Sequence, residues 1–358
     1  MPAKKKFDPV CTYSLNESIP HSQIKIATFN LFNYLEPPFA YYDFERIYSA
    51  LQWTKKQRWI GDYLDEFQPD VIGFQEVFSP ESLSTLLLKH GYRYFAVVDQ
   101  AEVTDDFICR SPVVALASRY PIKEVQAVTA DADLAIAMGL KGDFSFSRKV
   151  IRATVELPHI GDCDCYVVHF KSKRPMLEHV KNDQFSSEKN IIESLKCQVV
   201  GGWGSTIQRG SEAALLLVNM ISRREKSGLP MILMGDFNNT LADGVLTHLI
   251  TDSLRFVSKY DSEAFVAKYC LKDAWDLYLA TDNDTQHITR KATHYFGESS
   301  SVLDYILFSC EFDACHQSSV FELAAYHTYD RHLINPIFDR DGESTDHAIV
   351  SVTLELRS

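Results

Sequence analysis

Met231-Ile-Leu-Met-Gly-Asp236-Phe-Asn238 is a short apolar run that stops at an acid and an amide. A run of this length suits a strand covered on both faces. Its end is where a side chain can leave the sheet for a shared pocket. Taken alone, Asp236-Phe-Asn238 is equally the start of a polar loop held by local side-chain hydrogen bonds.

The same design recurs outward along the chain. Ile26-Ala-Thr-Phe-Asn30 is followed by Asn33, and Pro69-Asp-Val-Ile-Gly-Phe-Gln-Glu76 ends in an amide and an acid. Val167-Val-His169-Phe-Lys171-Ser-Lys173-Arg174, Leu303-Asp304-Tyr-Ile-Leu-Phe-Ser309 and Ser344-Thr-Asp346-His347 complete the set. Each has an ordinary reading: Asn30 as a turn cap, Glu76 as a solvated strand end. The order Asn, Glu, His, Asp-x-Asn, Asp, Asp-His on one β-rich chain is much harder to reach by chance.

Strands are expected at Ile24–Phe29, Val71–Phe74, Val113–Ala117, Ile151–Leu157, Cys165–Phe170, Met231–Met234, Val302–Phe308 and Ile349–Leu356. Between them, Thr54–Phe67 puts Trp59, Ile60, Tyr63, Leu64 and Phe67 on one helical face. Ser79-Pro80 opens a second helix that Gly91 closes, and Ser211–Lys226 reads as a third, ended by Gly228. Residues 120–148 and 257–300 read as long loops or insertions. No repeat or Pro/Gly-rich linker marks a boundary, so a polar leader over 1–22 and one domain over 23–358 are expected. Strands mixed with helices at this length suggest an α/β sandwich, two packed sheets with helices outside.

Composition narrows the classes. The 358 residues are 46% apolar and 23% charged, an ordinary globular balance. No apolar run approaches the roughly 18 residues of a membrane span. Lys plus Arg number 36 against 48 Asp plus Glu, and the net −12 disfavours a protein that coats nucleic acid. A local basic groove on the acidic body stays open. The amino terminus is basic without an apolar signal stretch, so the eight cysteines read as mostly reduced and the location as cytoplasmic. Cys163-Asp-Cys165 lacks a second pair and reads as structural rather than metal-binding. No phosphate-loop, His-Glu-x-x-His or Gly-x-Ser-x-Gly signature is present, nor a cysteine followed six residues on by arginine.

The ordered set resembles the endonuclease/exonuclease/phosphatase family of metal-dependent phosphoesterases. Gly235-Asp-Phe-Asn238 with Thr345-Asp-His347 is its most specific part, supported by Gln75-Glu76, Leu303-Asp-Tyr-Ile306 and Ser118-Arg-Tyr-Pro-Ile122. The resemblance implies a four-layer α/β/β/α sandwich of two packed mixed β-sheets flanked by helices. It implies a magnesium or manganese ion held by Glu76, with Asn30 and Asp346 near it; hard oxygen ligands suit those ions. Asp236 would orient or deprotonate the attacking water, and Asn238 would donate to a phosphate oxygen. His347 would contact the scissile phosphate with Asp304 on its other ring nitrogen, and His169 would be a second phosphate-facing histidine. In pancreatic-type members an acid supports that histidine. Here Arg110-Ser111-Pro112 occupies the similar stretch, which leaves His169 open as proton donor or as hydrogen-bond donor only and places Arg110 among substrate-binding groups.

Lys171, Lys173 and Arg174 follow His169 and read as a basic rim for a polyanion. Lys141, Arg148, Lys149 and Arg152 read equally as rim or as solvated surface, and Gln208-Arg209 as a further basic point. Trp203, in Gly201-Gly-Trp-Gly204, sits in a stretch expected to be flexible, and could stack on a base or plug a groove. No amphipathic segment suited to a membrane surface stands out, which weighs against lipid substrates. The expected activity is a metal-dependent nuclease with DNA or RNA as substrate. The alternatives are an inositol-phosphate phosphatase or sphingomyelinase-type phosphodiesterase, and a non-enzymatic binding protein on the same fold.

Overall fold

Alternation of side chains along each strand turns these runs into layers. In the computed structural model, which describes residues 22–357 apart from 105, 256, 258–262, 264 and 282–287, two six-stranded mixed sheets pack face to face. Strands are numbered along the chain. The first sheet contains β1 (Gln23–Tyr34), β3 (Val71–Val77), β4 (Tyr94–Ala96), β7 (Val113–Ser118), β16 (Phe321–Tyr329) and β17 (Ile349–Leu356), in the order β16-β17-β1-β3-β7-β4. The second contains β8 (Ile122–Ala127), β9 (Ile151–Leu157), β10 (Gly161–His169), β11 (Met231–Asp236), β12 (Lys272–Asp273) and β15 (Asp304–Phe308), in the order β12-β15-β11-β10-β9-β8. Parallel pairs, β1 with β3 and β10 with β11, sit inside each sheet. Beside them lie a small sheet of β2 (Ala40–Tyr41), β5 (Glu102–Thr104) and β6 (Ile108–Arg110) and a hairpin of β13 (His294–Phe296) and β14 (Ser299–Ser301).

Three cores separate four layers. Ile24, Ile26, Val71, Leu116, Cys165, Val167, Ile232, Met234, Ile306 and Val352 fill the seam between the sheets. The opposite-parity residues Ala27, Phe29, Ile72 and Phe74 meet Trp59, Tyr63 and Leu64 of α1 (Ala50–Phe67) and Leu83 and Leu87 of α2 (Pro80–Lys89). After α3 (Ala132–Ala137), the long α4 (Ser187–Ser227) covers the second sheet, with Ala213, Leu216 and Met220 on Tyr166, Val168 and Leu233. Gly73 lets the sheets approach: a Cβ there would lie 2.8 Å from the Met234 side chain.

The expected α/β/β/α sandwich is therefore the observed one, and each expected strand is present. Residues 120–148, expected as loop, hold β8 and α3. The region 257–300, likewise expected as loop, includes β12, β13, β14 and α5 (Ala274–Thr281) among its described residues. The expected helix at Ser211 begins instead at Ser187, where Ser186 caps it through the Lys189 N–H. Gly201-Gly-Trp-Gly204 is thus helical, not flexible. Gly201 is there for proximity: a Cβ would lie 2.6 Å from the backbone nitrogen of Leu177 in the crossing segment. Cys163 and Cys165 are buried in the seam, as a structural pair would be, and the described cysteines are free thiols. Residues 1–21 of the expected leader, with Cys11, lie outside the described residues. Among the described residues no helix is long and apolar enough to cross a membrane.

Candidate active site

The inward rows of the central strands end at one edge of the seam. Cys165, Val167 and then His169 run along β10, Ile232, Met234 and then Asp236 along β11, and Phe308, Ile306 and then Asp304 along β15. Strand register sets His169, Asp236 and Asp304 side by side. From the first sheet, Asn30 ends the row Ile24, Ile26, Thr28 and pairs in register with Gln75. Gly235 is fixed by this packing. Its φ is +151°, and a Cβ would lie 2.0 Å from the Val168 carbonyl oxygen.

Asp236 is the hub. Its Oδ2 accepts from Asn30 Nδ2 at 3.2 Å and from Asn238 Nδ2 at 3.2 Å, and its Oδ1 accepts from the Asn238 backbone N–H at 2.8 Å. His169 Nε2 lies 3.4 Å and His347 Nε2 3.9 Å from Oδ2. Burial pushes the Asp236 carboxyl up to about 7, opposed by His347 and aided by Asp304. Asn238 also donates to the Phe170 carbonyl at 3.0 Å, so its amide protons are both spent within the protein. Here it holds Asp236 in place.

His347 Nδ1 pairs with Asp304 Oδ2 at 2.9 Å. Burial alone would lower its pKa, but Asp304 and Asp236 hold it well above the ordinary range and so favour the imidazolium. His169 is the reverse case. Burial, with Arg148, His347 and Lys171 nearby, holds it well below the ordinary value, and its Nδ1 is buried without a protein partner. The two imidazoles of one site are thus pushed in opposite directions, His347 toward the charged form and His169 toward the neutral one.

Glu76 and Asp346 lie beside this pair. Glu76 has φ +59°, and its Oε2 accepts from the Asn33 N–H at 2.9 Å, Asn33 itself having φ +56°. Such conformations cost free energy in non-glycine residues and cluster at functional sites. Burial and the Asp346 charge raise the Glu76 pKa. Asp346 Oδ1 and Asn33 Oδ1 are buried with no protein partner. Asn30 Oδ1 accepts one bond, from Phe32 N–H at 3.0 Å, and keeps a second lone pair. Two mutually repelling carboxylates with unpaired amide and carboxylate oxygens fit a hard divalent cation. A buried lysine faces them: Lys56, pushed down to about 8 by burial against the pull of Asp346, Glu76 and Glu343.

The basic rim is only partly as expected. Lys171 is half-buried, its pKa lowered by burial and by Arg148, while Lys173 and Arg174 are exposed. Arg148 acts electrostatically on Glu76, His169 and Lys171, and so belongs to the site. Its sequence neighbours do not: Lys149 pairs with Asp99, and Arg152 is buried against Glu124 and Asp164. Arg110 ends β6 in the small sheet, paired in register with Glu102. Arg209 is buried rather than on a rim, and donates to the Lys171 carbonyl at 2.9 Å. The buried Glu212 accepts backbone N–H groups from Ser147 and Lys171, each at 2.7 Å, and so ties both basic loops to α4.

Two features went unread in the sequence. His294 stands beside His347, ring centroids 4.9 Å apart. The first half of α4 carries Ile191, Leu195, Val199, Trp203 and Ile207 at four-residue spacing, all exposed. No amphipathic segment suited to a membrane surface stands out in the sequence, and the glycines inside this exposed apolar row hide it there.

The sequence model of the Endonuclease/Exonuclease/phosphatase family matches residues 27–347. No curated protein sequence matches the chain. Among solved structures, the human Nocturnin catalytic domain with bound sulfate anion is similar at TM-score 0.55 and 16% identity, covering 94% of this chain and 95% of that one. D. rerio TDP2, humanized by 14 mutations, gives TM-score 0.53 at 12% identity over 94% of this chain and 100% of that one. D. rerio TDP2 complexed with single strand DNA product gives 0.52 at 12% identity over the same shares. These likenesses are of fold.

Proposed function

Because the chain belongs to the endonuclease/exonuclease/phosphatase family, we propose that it is a divalent-cation-dependent phosphodiesterase that cuts DNA or RNA by in-line attack of water. The observation that carries this is the meeting of Asp236, His169 and His347 at one seam edge, with Glu76 and Asp346 alongside.

Magnesium or manganese, held by Glu76 and Asp346 with Asn30 nearby, would offset charge on the phosphoryl oxygens and leaving group. The chain's own groups do the rest. Asp236, lifted to about 7, accepts the proton of the attacking water. Asn30 and Asn238 fix the plane of its carboxylate. His347, kept protonated by Asp304, donates to a non-bridging oxygen whose charge grows in the transition state. The neutral His169 donates a hydrogen bond without surrendering a proton. Lys171 and Arg148 add positive potential at the mouth. In TDP2 the bound molecule is a single strand DNA product, which supports a polynucleotide reading here.

A lipid-headgroup diester is the second reading, and the exposed stripe from Ile191 to Ile207 favours it. Exposed apolar residues with a tryptophan along one helix suit contact with a lipid interface. A hydrolysis panel of plasmid DNA, RNA, inositol phosphates and sphingomyelin vesicles with added Mg²⁺ or Mn²⁺ separates the two. Cleavage of a polynucleotide supports the first, and release of phosphocholine or inorganic phosphate without it supports the second. Turnover of none by metal-loaded protein would end both.

A further inference from the structure

His294 and His347 face each other as a cross-strand pair, and the chain bends at Asp346 so that the preceding carboxylate joins them. One ligand atom from each of His294, Asp346 and His347 lies within 4.8 Å of the others. We propose that these three residues form a binding site for a borderline transition cation such as Zn²⁺, distinct in chemistry from the all-oxygen Glu76 site, and that its occupation shuts the hydrolytic site down. The shutdown rests on the proposed function; the binding does not.

Four observations carry the site. The donor set is two imidazoles and a carboxylate, which suits zinc with water in the fourth position and poorly suits magnesium. Asp346 Oδ1 is buried with no protein partner, so it is an acceptor awaiting a ligand. Among the described residues, nothing hydrogen-bonds the His294 ring, which stands 4.9 Å, centroid to centroid, from the His347 ring. The second shell is in place: Asp304 holds His347 Nδ1, and Nε2 takes the cation on releasing its proton to solvent. The other acid–histidine cluster, Asp236, Asp304 and His347, offers one imidazole instead of two, and both Asp236 oxygens already accept from Asn30 and Asn238, although Asp304 Oδ1 is unpartnered.

His294 is also held on rigid backbone. The buried Thr293 takes the Ala348 N–H at 2.7 Å on its carbonyl and donates its own N–H to Ser301 at 2.9 Å. Its hydroxyl accepts from the backbones of Leu303 and Asp304. Three residues earlier, Arg290 donates to Tyr326 Oη at 2.8 Å and pairs with Asp273. A site so anchored loses little entropy on binding a cation.

Bound there, Zn²⁺ would occupy the Nε2 that His347 offers to phosphate and withdraw Asp346 from the Glu76 side. The test is a titration of metal-free full chain with Co²⁺, read by visible absorption, and with Zn²⁺, read by calorimetry. Wild type should bind with tetrahedral cobalt bands. His294→Ala should lose those bands and bind Zn²⁺ by about tenfold less or worse. His294→Cys should restore binding and add a thiolate charge-transfer band. Mg²⁺-supported hydrolysis, each protein measured against its own zinc-free rate, should be inhibited by Zn²⁺ in wild type and spared in His294→Ala. Equal Co²⁺ spectra and Zn²⁺ affinity in wild type and His294→Ala would overturn the site. Equal inhibition of both would overturn the shutdown. A chain that hydrolyses nothing would refute the hydrolytic reading, and the cobalt titration would still decide the site.

Discussion

Asn30 and Asp236, 206 residues apart and on different sheets, meet across the seam, where Asn30 Nδ2 donates to Asp236 Oδ2 at 3.2 Å. The candidate site therefore exists only when both sheets are docked. The amide also sets the direction from which Asp236 can take a proton.

Removing the base and removing its support should differ in degree. Asp236→Asn is expected to cut hydrolysis by about 10³-fold or more, the upper range for a general base. Its thermal stability should hold or rise, since a buried charge is removed. Asn30→Ala should cost roughly 10–100-fold in kcat while KM changes little, a loss of about 1–3 kcal/mol in support of a charged acceptor. Steady-state kinetics beside a melting curve checks both.

The pair Asp236 and His347 should yield a bell-shaped pH–rate profile. Activity needs Asp236 as carboxylate and His347 as imidazolium. The rate then climbs as pH rises through the Asp236 limb, lifted by burial to about 7. It falls again once His347, held well above its ordinary value, loses its proton. The limbs belong to the coupled pair. Asp304→Asn removes the negative partner, so the descending limb should move to lower pH.

Stability should fall on mild acidification for a separate reason. The buried His332 donates from Nε2 to the His347 carbonyl at 3.0 Å, and burial lowers its pKa to about 4. The unfolded chain takes up this proton near pH 6.5 and the folded one only near 4. His332 stability is therefore complete above pH 6.5 and drains away below it, by about 3 kcal/mol in all. Urea unfolding across pH 4–7 should show a shallower decline for His332→Gln than for wild type.

Gly235→Ala should fail structurally before it fails chemically. A methyl group 2.0 Å from the Val168 carbonyl forces the β10–β11 pair apart, at a cost of about 4 kcal/mol or more. Loss of cooperative unfolding is the expected result, and a melting temperature unchanged from wild type would remove this account of the glycine.

These residues also show what could be read in advance. An apolar strand that ends in a polar residue reveals a sheet edge, and side-chain alternation then fixes which face the residue joins. Asn30, His169, Asp236 and Asp304 were legible on that ground, and Gly235 through its motif. Direction off a strand was not legible. Arg148 and Arg152 stand in one basic stretch, yet one acts electrostatically on His169 and the other is buried against Asp164. Glu212 is 41 residues from the Lys171 backbone it holds, with no local pattern to announce it. The glycines at 201, 202 and 204 look like a break until the segment they admit is known. His294 is one histidine in a polar stretch, and only the bridge to His347 gives it company.

The central claim is cation-dependent phosphodiester hydrolysis through Asp236. Its most direct test is single-turnover cleavage of an end-labelled single-stranded DNA by the full chain in H₂¹⁸O, with Mn²⁺ or with chelator, beside Asp236→Asn. The account predicts cleavage only with Mn²⁺, one ¹⁸O in the product phosphate, and loss of the reaction in Asp236→Asn at unchanged Mn²⁺ affinity. Cleavage that persists in chelator, or that survives in Asp236→Asn at the wild-type rate, would contradict it.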